Sequence, residues 1–195
     1  MEKIDIMKVY STPFCRFKNY TQLTEEEKKL VWEWRNHESI RAWMYNKDVI
    51  EYDNHLKFIS NLKKRNDAYY WLVFNEKELP IGVFDVTRVN YDKNFVEVGY
   101  YLSPKRLGDG LKLLKECLFL VFNILDVRNV YFGVHELNKN GMVLDEFLGC
   151  RFDKEVILDG ERYLISTNLD KELFLERYQL GLADFVKYMK NKKYE

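Results

Sequence analysis

The stretch "SPKRLGDG", Ser103 to Gly110, lies between "FVEVGYYL" (95–102), which alternates like a half-buried strand, and "LKLLKECLFLVFNIL" (111–125), which is apolar at helical spacing. Two glycines and two cations at a strand-to-helix junction have two readings. One is a plain turn. The other is a seat for an anion, because the first N–H groups of a helix lack internal acceptors and glycine lets a phosphate approach them closely. The spacing alone does not choose between them. The elements on either side must.

Upstream of the loop, "YYWLVFN", "PIGVFDVTRVN" and "FVEVGYYL" predict three strands in an antiparallel meander, separated by the turn-like "NEKEL" and "NYDKN". Earlier still, "CRFKNY" predicts a strand. "LTEEEKKLVWEWRN" predicts a helix with Thr24 as N-cap and Glu27 three places on, a capping box, and with Leu30, Val31 and Trp34 on its apolar face. "YDNHLKFISNLKKR" predicts another helix, with Leu56, Ile59 and Leu62 in line. Downstream, the loop opens a long helix from about Leu111 to Asn123, followed by a strand in "NVYFGVHEL", a helix from about Asn140 to Phe147, and a hairpin turning at Asp159-Gly160. The tail, residues 170–192, predicts one helix whose stripe of Phe174, Tyr178, Leu182, Phe185 and Met189 either covers the core or meets a second copy in a homodimer. The fold class is α+β, in a single domain over residues 1–195 with its core over about 9–168.

Composition narrows the partners. Lysine plus arginine and aspartate plus glutamate number 31 each, so the net charge is zero and a general electrostatic grip on nucleic acid or an anionic membrane is not expected. The start of the chain lacks the apolar core of a signal peptide and no later run is long enough to span a bilayer, which predicts a cytoplasmic protein. Cys15, Cys117 and Cys150 lack CxxC spacing, and His37, His55 and His135 form no paired motif, so neither a disulfide framework nor a metal site is expected. The partner predicted is a small molecule.

The order of elements resembles the GNAT family of acyl-CoA-dependent N-acetyltransferases over roughly Thr24 to Thr167. Its motif Q/R-x-x-G-x-G/A is matched by Lys105-Arg106-Leu107-Gly108-Asp109-Gly110, with lysine in the first place, and "NKNGMVLDEFLGCRF" resembles its late segment N-x-x-A-x-x-x-Y-x-x-x-G-F. Within the family the likeness is to the enzymes that acetylate UDP-linked 4-amino-dideoxy sugars in the pseudaminic acid pathway. It is carried by "EWRNHESIRAWMYNKDVI" (33–50) and "HLKFISNL" (55–62). The resemblance implies a mixed, largely antiparallel central sheet flanked by helices, acetyl-CoA as acyl donor, and a nucleotide-sugar acceptor. The alternatives are a protein N-terminus or another small amine as acceptor, or a non-catalytic acyl-CoA-binding module.

For the donor, the amides around Leu107 to Leu111 are expected to hold the pyrophosphate, with Lys105 or Arg106 adding charge and Asn138 reaching the pantetheine arm. The oxyanion donor implied is the backbone N–H of Leu102. An alkyl ammonium with a pKa of about 10.4 must lose a proton before attack. Glu97 is the first candidate base, since strand alternation puts it on one face with Gly99 and Tyr101; Asp85 and His135 compete with it. The acceptor side implied comprises Arg35 and His55 for the diphosphate and uridine, Met44, Tyr45 and Phe58 for the nucleotide and sugar, and Thr87 and Arg88 at a strand end. Tyr100 and Tyr101 are further proton donors. One departure stands out: Asp145 occupies the family tyrosine position, either as a proton donor of raised pKa or as a carboxylate on the helix surface.

Overall fold

The computed structural model describes residues 1–106 and 108–192. Residues 1–128 and 129–195 form two compact units.

In the first unit a short β1 (Tyr10–Ser11) and β2 (Cys15–Asn19) precede a 3-10 turn (Tyr20–Gln22) and the helices α1 (Glu25–Asn36), α2 (Glu38–Arg41) and α3 (Tyr52–Leu62). β3 (Tyr69–Asn75), β4 (Pro80–Asn90) and β5 (Phe95–Leu102) then run antiparallel, as their alternation predicts, with β2 on the outer side of β3. Both halves of the capping box are present at α1: Glu27 N donates to Thr24 Oγ1 at 3.3 Å and Thr24 N donates to Glu27 Oε2 at 2.8 Å.

The apolar faces of α1 to α3 bury Val31, Trp34, Ile40, Ile59 and Leu62 together with Leu72 and Val83 of the sheet. Tyr70 and Tyr101 pack at the margin of that core. The helices thus cover the sheet face on which the odd-numbered residues of β4 and β5 stand. Gly82 marks a close approach of β4 to its neighbours: a Cβ there would come within 2.5 Å of the Tyr101 carbonyl oxygen and 2.6 Å of Leu113 Cδ2. Leu113 belongs to α4 (Gly110–Phe119), which opens after the glycine loop. The long helix expected to about Asn123 is α-helical only to Phe119 and ends in a wider π turn, Leu120–Ile124.

The second unit contains β6 (Asn129–His135), α5 (Lys139–Phe147), β7 (Lys154–Leu158) and β8 (Glu161–Ser166). β8 pairs antiparallel with both β6 and β7. The hairpin turns where predicted, with positive φ at both Asp159 (51°) and Gly160 (81°). The single tail helix expected over 170–192 is two helices, α6 (Lys171–Tyr178) and α7 (Leu182–Asn191). The break has a local cause: Gly181 takes the N-cap place of α7, and its N–H donates to Asp184 Oδ2 at 2.8 Å. Phe185 then meets Phe147 of α5 edge-on and Tyr188 packs on it at a tilt, at 5.2 and 5.3 Å between ring centroids. No helix among the described residues is long and apolar enough to cross a membrane.

Candidate active site

The register of β4 against β5 sets the chemistry of the first unit. Asp85 pairs with Gly99 and Thr87 with Glu97, so the two carboxylates are diagonal neighbours on the face covered by α1 to α3. A Cβ on Gly99 would lie 2.8 Å from Asp85 Oδ2 and 3.0 Å from Oδ1, which shows that the Asp85 carboxyl lies over the Gly99 backbone. Gly99→Ala is therefore expected to push this flexible side chain aside, lowering turnover while leaving the melting temperature nearly unchanged; paired kinetic and thermal measurements check it.

Burial is the main cause of a high Asp85 pKa, with the Glu97 charge second, and together they raise it to about 7. Glu97, 9% exposed, is also raised by burial, and the nearby Arg88 guanidinium opposes that rise. The Arg88 Nε lies 3.1 Å from Glu97 Oε2. Arg88 has a positive φ of 50° inside an irregularity of the ladder between Thr87 and Asn90. A bulge of this kind re-aims a side chain, here over Glu97.

A polar cluster surrounds the carboxylates. The Tyr20 and Tyr101 hydroxyls lie 3.4 Å apart, and Tyr20 and Tyr70 rings pack at 5.6 Å. Burial raises the pKa of all three tyrosines, so they stand as neutral hydroxyls at ordinary pH. Arg35 is drawn below its usual pKa by burial, opposed by the tyrosines Tyr101, Tyr20 and Tyr70. Its Nη2 donates to the Asn46 carbonyl at 2.6 Å, while its Nη1 is buried without a hydrogen-bond partner. Arg41 repeats the pattern, with Nη1 donating to the Lys47 carbonyl at 2.8 Å and a buried, unpartnered Nε. His55, 5% exposed, packs between Tyr20 and Tyr52; burial lowers its pKa and its Nε2 has no partner. Residues 42–50 are fastened beside this cluster, since Asn36 Nδ2 and Trp32 Nε1 both donate to the Ile50 carbonyl, at 2.8 and 2.6 Å. Met44 and Phe58 pack against the helical core, and Tyr45 is exposed.

Buried donors left without acceptors are costly, and a site built to receive an anion or a hydroxylated ligand is one reason for them to persist. Of the residues gathered here, the sequence singles out Arg35, His55, Glu97, Asp85 and Tyr101 but not Tyr20, Tyr70 or Arg41. The signal for Arg41 was its place in the same tract as Arg35. An aromatic residue in a strand reads first as core, which hid the two tyrosines.

The glycine loop satisfies itself in part. Arg106 N donates to the Ser103 carbonyl at 2.9 Å and Asp109 N to the Arg106 carbonyl at 3.1 Å, so of the amides expected to hold an anion that of Asp109 already has an acceptor within the loop. Leu107 lies outside the described residues. Beyond the loop the picture differs. Asp109 holds the N-cap place of α4 but its side chain makes no capping hydrogen bond among the described residues, and the first turn carries no acid. The amides of Gly110, Leu111 and Lys112 precede the first intrahelical bond, from Leu113 N to the Asp109 carbonyl at 2.9 Å. Gly108 is exposed, its φ lies outside the left-handed region, and a Cβ on it would meet nothing within 4 Å. Room at Gly108 together with a helix start that has no side-chain cap among the described residues fits a phosphate. Lys105 is exposed beside them, whereas Arg106 is ion-paired with Asp109 at 3.6 Å.

At the end of β5, Gly82 faces Leu102 while Ser103 N donates to the Ile81 carbonyl at 2.9 Å. That pattern makes Gly82 and Leu102 a non-hydrogen-bonded pair and turns the Leu102 N–H away from β4.

In the second unit Asn138 caps α5, its Oδ1 accepting from Gly141 N at 3.1 Å. A Cβ on Gly141 would lie 2.8 Å from Asn138 Nδ2. His135 is a packed strand-end residue: Nδ1 accepts from Leu137 N at 3.1 Å, Nε2 lies 3.4 Å from Glu161 Oε2, and the ring meets Tyr163 edge-on. Asp145 is not on the helix surface. It is 1% exposed, on the buried side of α5 with Val143, Leu144 and Phe147.

A family model described as an acetyltransferase (GNAT) domain matches residues 20–150, a span that crosses both units. Two proteins named acetyltransferase PseH, from two strains of Campylobacter jejuni, are 35% and 33% identical to this chain over 129 residues, or 66% of this chain and 80% of each relative. Among solved structures, the C. jejuni N-acetyltransferase PseH in complex with acetyl coenzyme A matches with a TM-score of 0.62 at 25% identity, covering 77% of this chain and 96% of that one. The spermidine N-acetyltransferase of Vibrio cholerae in complex with CoA and spermine matches with a TM-score of 0.72 at 16% identity, covering 83% and 98%, a likeness of fold.

Proposed function

We propose, on the premise that this chain belongs to the GNAT family of acetyltransferases, that it transfers an acetyl group from acetyl-CoA to the amino group of a UDP-linked 4-amino-dideoxy sugar, a step toward a pseudaminic-type acid. The observation that carries the acceptor side is the group of buried, unpartnered polar atoms, Arg35 Nη1, Arg41 Nε and His55 Nε2, gathered in the unit that also holds Asp85 and Glu97. A guanidinium suits a diphosphate, and an imidazole nitrogen without a partner suits a hydroxyl or N–H donor. The likeness to proteins named PseH supports the same acceptor class.

In this reading the donor's pyrophosphate rests on the first-turn amides of α4 beside Gly108, with Lys105 adding charge. The amine lone pair forms a bond to the thioester carbonyl carbon, the carbon–sulfur bond breaks with its pair passing to sulfur, and the amine proton passes to a carboxylate of the Asp85/Glu97 pair. The Leu102 N–H, which does not serve the β4 ladder, donates in this reading to the carbonyl oxygen as charge builds there. The leaving thiol, with a pKa near 8.5 by analogy with cysteine, departs as a thiolate without a tyrosine acid.

Incubation with acetyl-CoA and a panel of UDP-4-amino sugars, read by mass spectrometry, is expected to show a 4-acetamido product and an equal amount of free CoA thiol. UDP alone is expected to raise the melting temperature. Acetylation of simple amines with no effect of UDP would move the assignment to another acceptor, and binding of acyl-CoA without transfer to any amine would remove the enzyme reading.

A further inference from the structure

We propose that Asp85, not Glu97, takes the proton from the acceptor amine, and that Arg88, aimed at Glu97 by the bulge in β4, is the positioning residue that divides the labour between the two carboxylates. The inference rests on the acetyl-transfer reading above and goes beyond it in assigning the base.

The argument begins with geometry. Both carboxylates occupy the same sheet face as diagonal neighbours, Asp85 opposite Gly99 and Glu97 opposite Thr87. They differ in company. Glu97 has a guanidinium nitrogen 3.1 Å away. Asp85 has no ion-pair partner among the described residues, and its oxygens lie over a glycine backbone that offers no side chain. Burial and the Glu97 charge act on Asp85 itself, and the charged Arg65 and Asp67 act on the neighbouring Tyr70. Tyr20 of the 3-10 turn, Tyr70 of β3 and Tyr101 of β5 keep their protons, as does the buried Cys117 of α4. The Arg35 guanidinium of α1 acts on the tyrosines.

Two like charges this close do not ionise together with ease, so the cation decides which ionises first. Arg88 favours the anionic form of Glu97, and burial first, with the Glu97 charge second, holds the last proton on Asp85 to about pH 7. A pair of carboxylates pushed apart in this way separates a fixed charge from a working base. A base whose pKa lies near the operating pH gives both a populated anion and a strong enough acceptor. During the reaction the amine N–H proton passes to an Asp85 carboxylate oxygen, directly or through one water, as the nitrogen–carbon bond forms. Arg88 takes a left-handed backbone, φ 50°, at the ladder irregularity between Thr87 and Asn90, and such an irregularity re-aims a side chain.

The test is the pH dependence of kcat/KM in the parent protein and in Asp85→Asn, Glu97→Gln and Arg88→Gln, alongside carbon-13 titration of the side-chain carboxyls in protein without substrate. In the parent the acid limb is expected near pH 7 and to coincide with the Asp85 carboxyl titration. Asp85→Asn loses the limb and about a hundredfold or more of the plateau rate. Glu97→Gln loses no more than about tenfold and moves the limb down by about half a unit or more, while Arg88→Gln moves it up. The proposal is overturned if Glu97→Gln loses more than Asp85→Asn, or if neither Glu97→Gln nor Arg88→Gln shifts the limb. Should Asp85→Asn fail to fold, the two opposite shifts still decide. Any amine that the protein acetylates serves as acceptor, and the titration needs none, so failure of the sugar assignment is distinguishable from failure of this one.

Discussion

Gly108→Val is expected to raise the KM for acetyl-CoA by about tenfold or more while shifting the melting temperature by no more than about 2 °C. The fold has no use for glycine at this place. The residue is exposed, its φ is one that any residue adopts, and a Cβ would meet no atom within 4 Å. Gly82 shows the contrast, since a Cβ there would run into the Tyr101 carbonyl and the Leu113 side chain. If Gly108 answers instead to a ligand, the space above it belongs to a phosphate lying on the amides of Gly110, Leu111 and Lys112. An isopropyl group would fill that space. Losing one hydrogen bond to a charged group costs about 1.5–3 kcal/mol, which is tenfold or more in affinity. Steady-state kinetics with varied acetyl-CoA, calorimetric binding of CoA, and a thermal melt separate the two roles. A fall in melting temperature with unchanged donor affinity would return the loop to an ordinary turn.

The parts of the fold legible in the sequence are those decided within a few residues. The Thr24/Glu27 cap, the Asp159-Gly160 turn and the three-strand meander each follow from local hydrogen bonding or alternation. The break at Gly181 is equally local: glycine followed three places later by aspartate is a cap signal, which the continuous apolar stripe of the tail masks. The site was half legible. Alternation puts Glu97, Gly99 and Tyr101 on one face, and the basic tract gives Arg35. What no local rule supplies is the register that sets Asp85 over Gly99, or the irregularity that turns Arg88 toward Glu97. Those depend on how two strands slide against each other. Asp145 fails for a related reason: a carboxylate in an amphipathic helix reads as solvent-facing, and only the packing of α5 reveals that this one is 1% exposed.

Asp85→Asn is expected to stabilise the protein at pH 8 even as it removes turnover. Burial and the Glu97 charge raise the folded-state pKa of Asp85 from 3.8 to about 7. The native state therefore binds this proton more tightly than the unfolded chain does, and stability falls as pH rises from about 4 to about 7, after which the penalty stays constant. Asparagine has nearly the same shape and no charge to bury, so the variant lacks that decline. The gain at pH 8 amounts to a few kcal/mol, since each pKa unit is worth about 1.4 kcal/mol, and partial exposure of the side chain reduces it. At pH 4 parent and variant converge, because Asp85 is then protonated in the native state. Urea unfolding at the two pH values reads the difference directly. A variant less stable than the parent at pH 8 would mean that the Asp85 anion is favourably solvated in the fold. A carboxylate kept at a cost to stability, over a glycine that leaves it room, is what the assignment of Asp85 as the base requires.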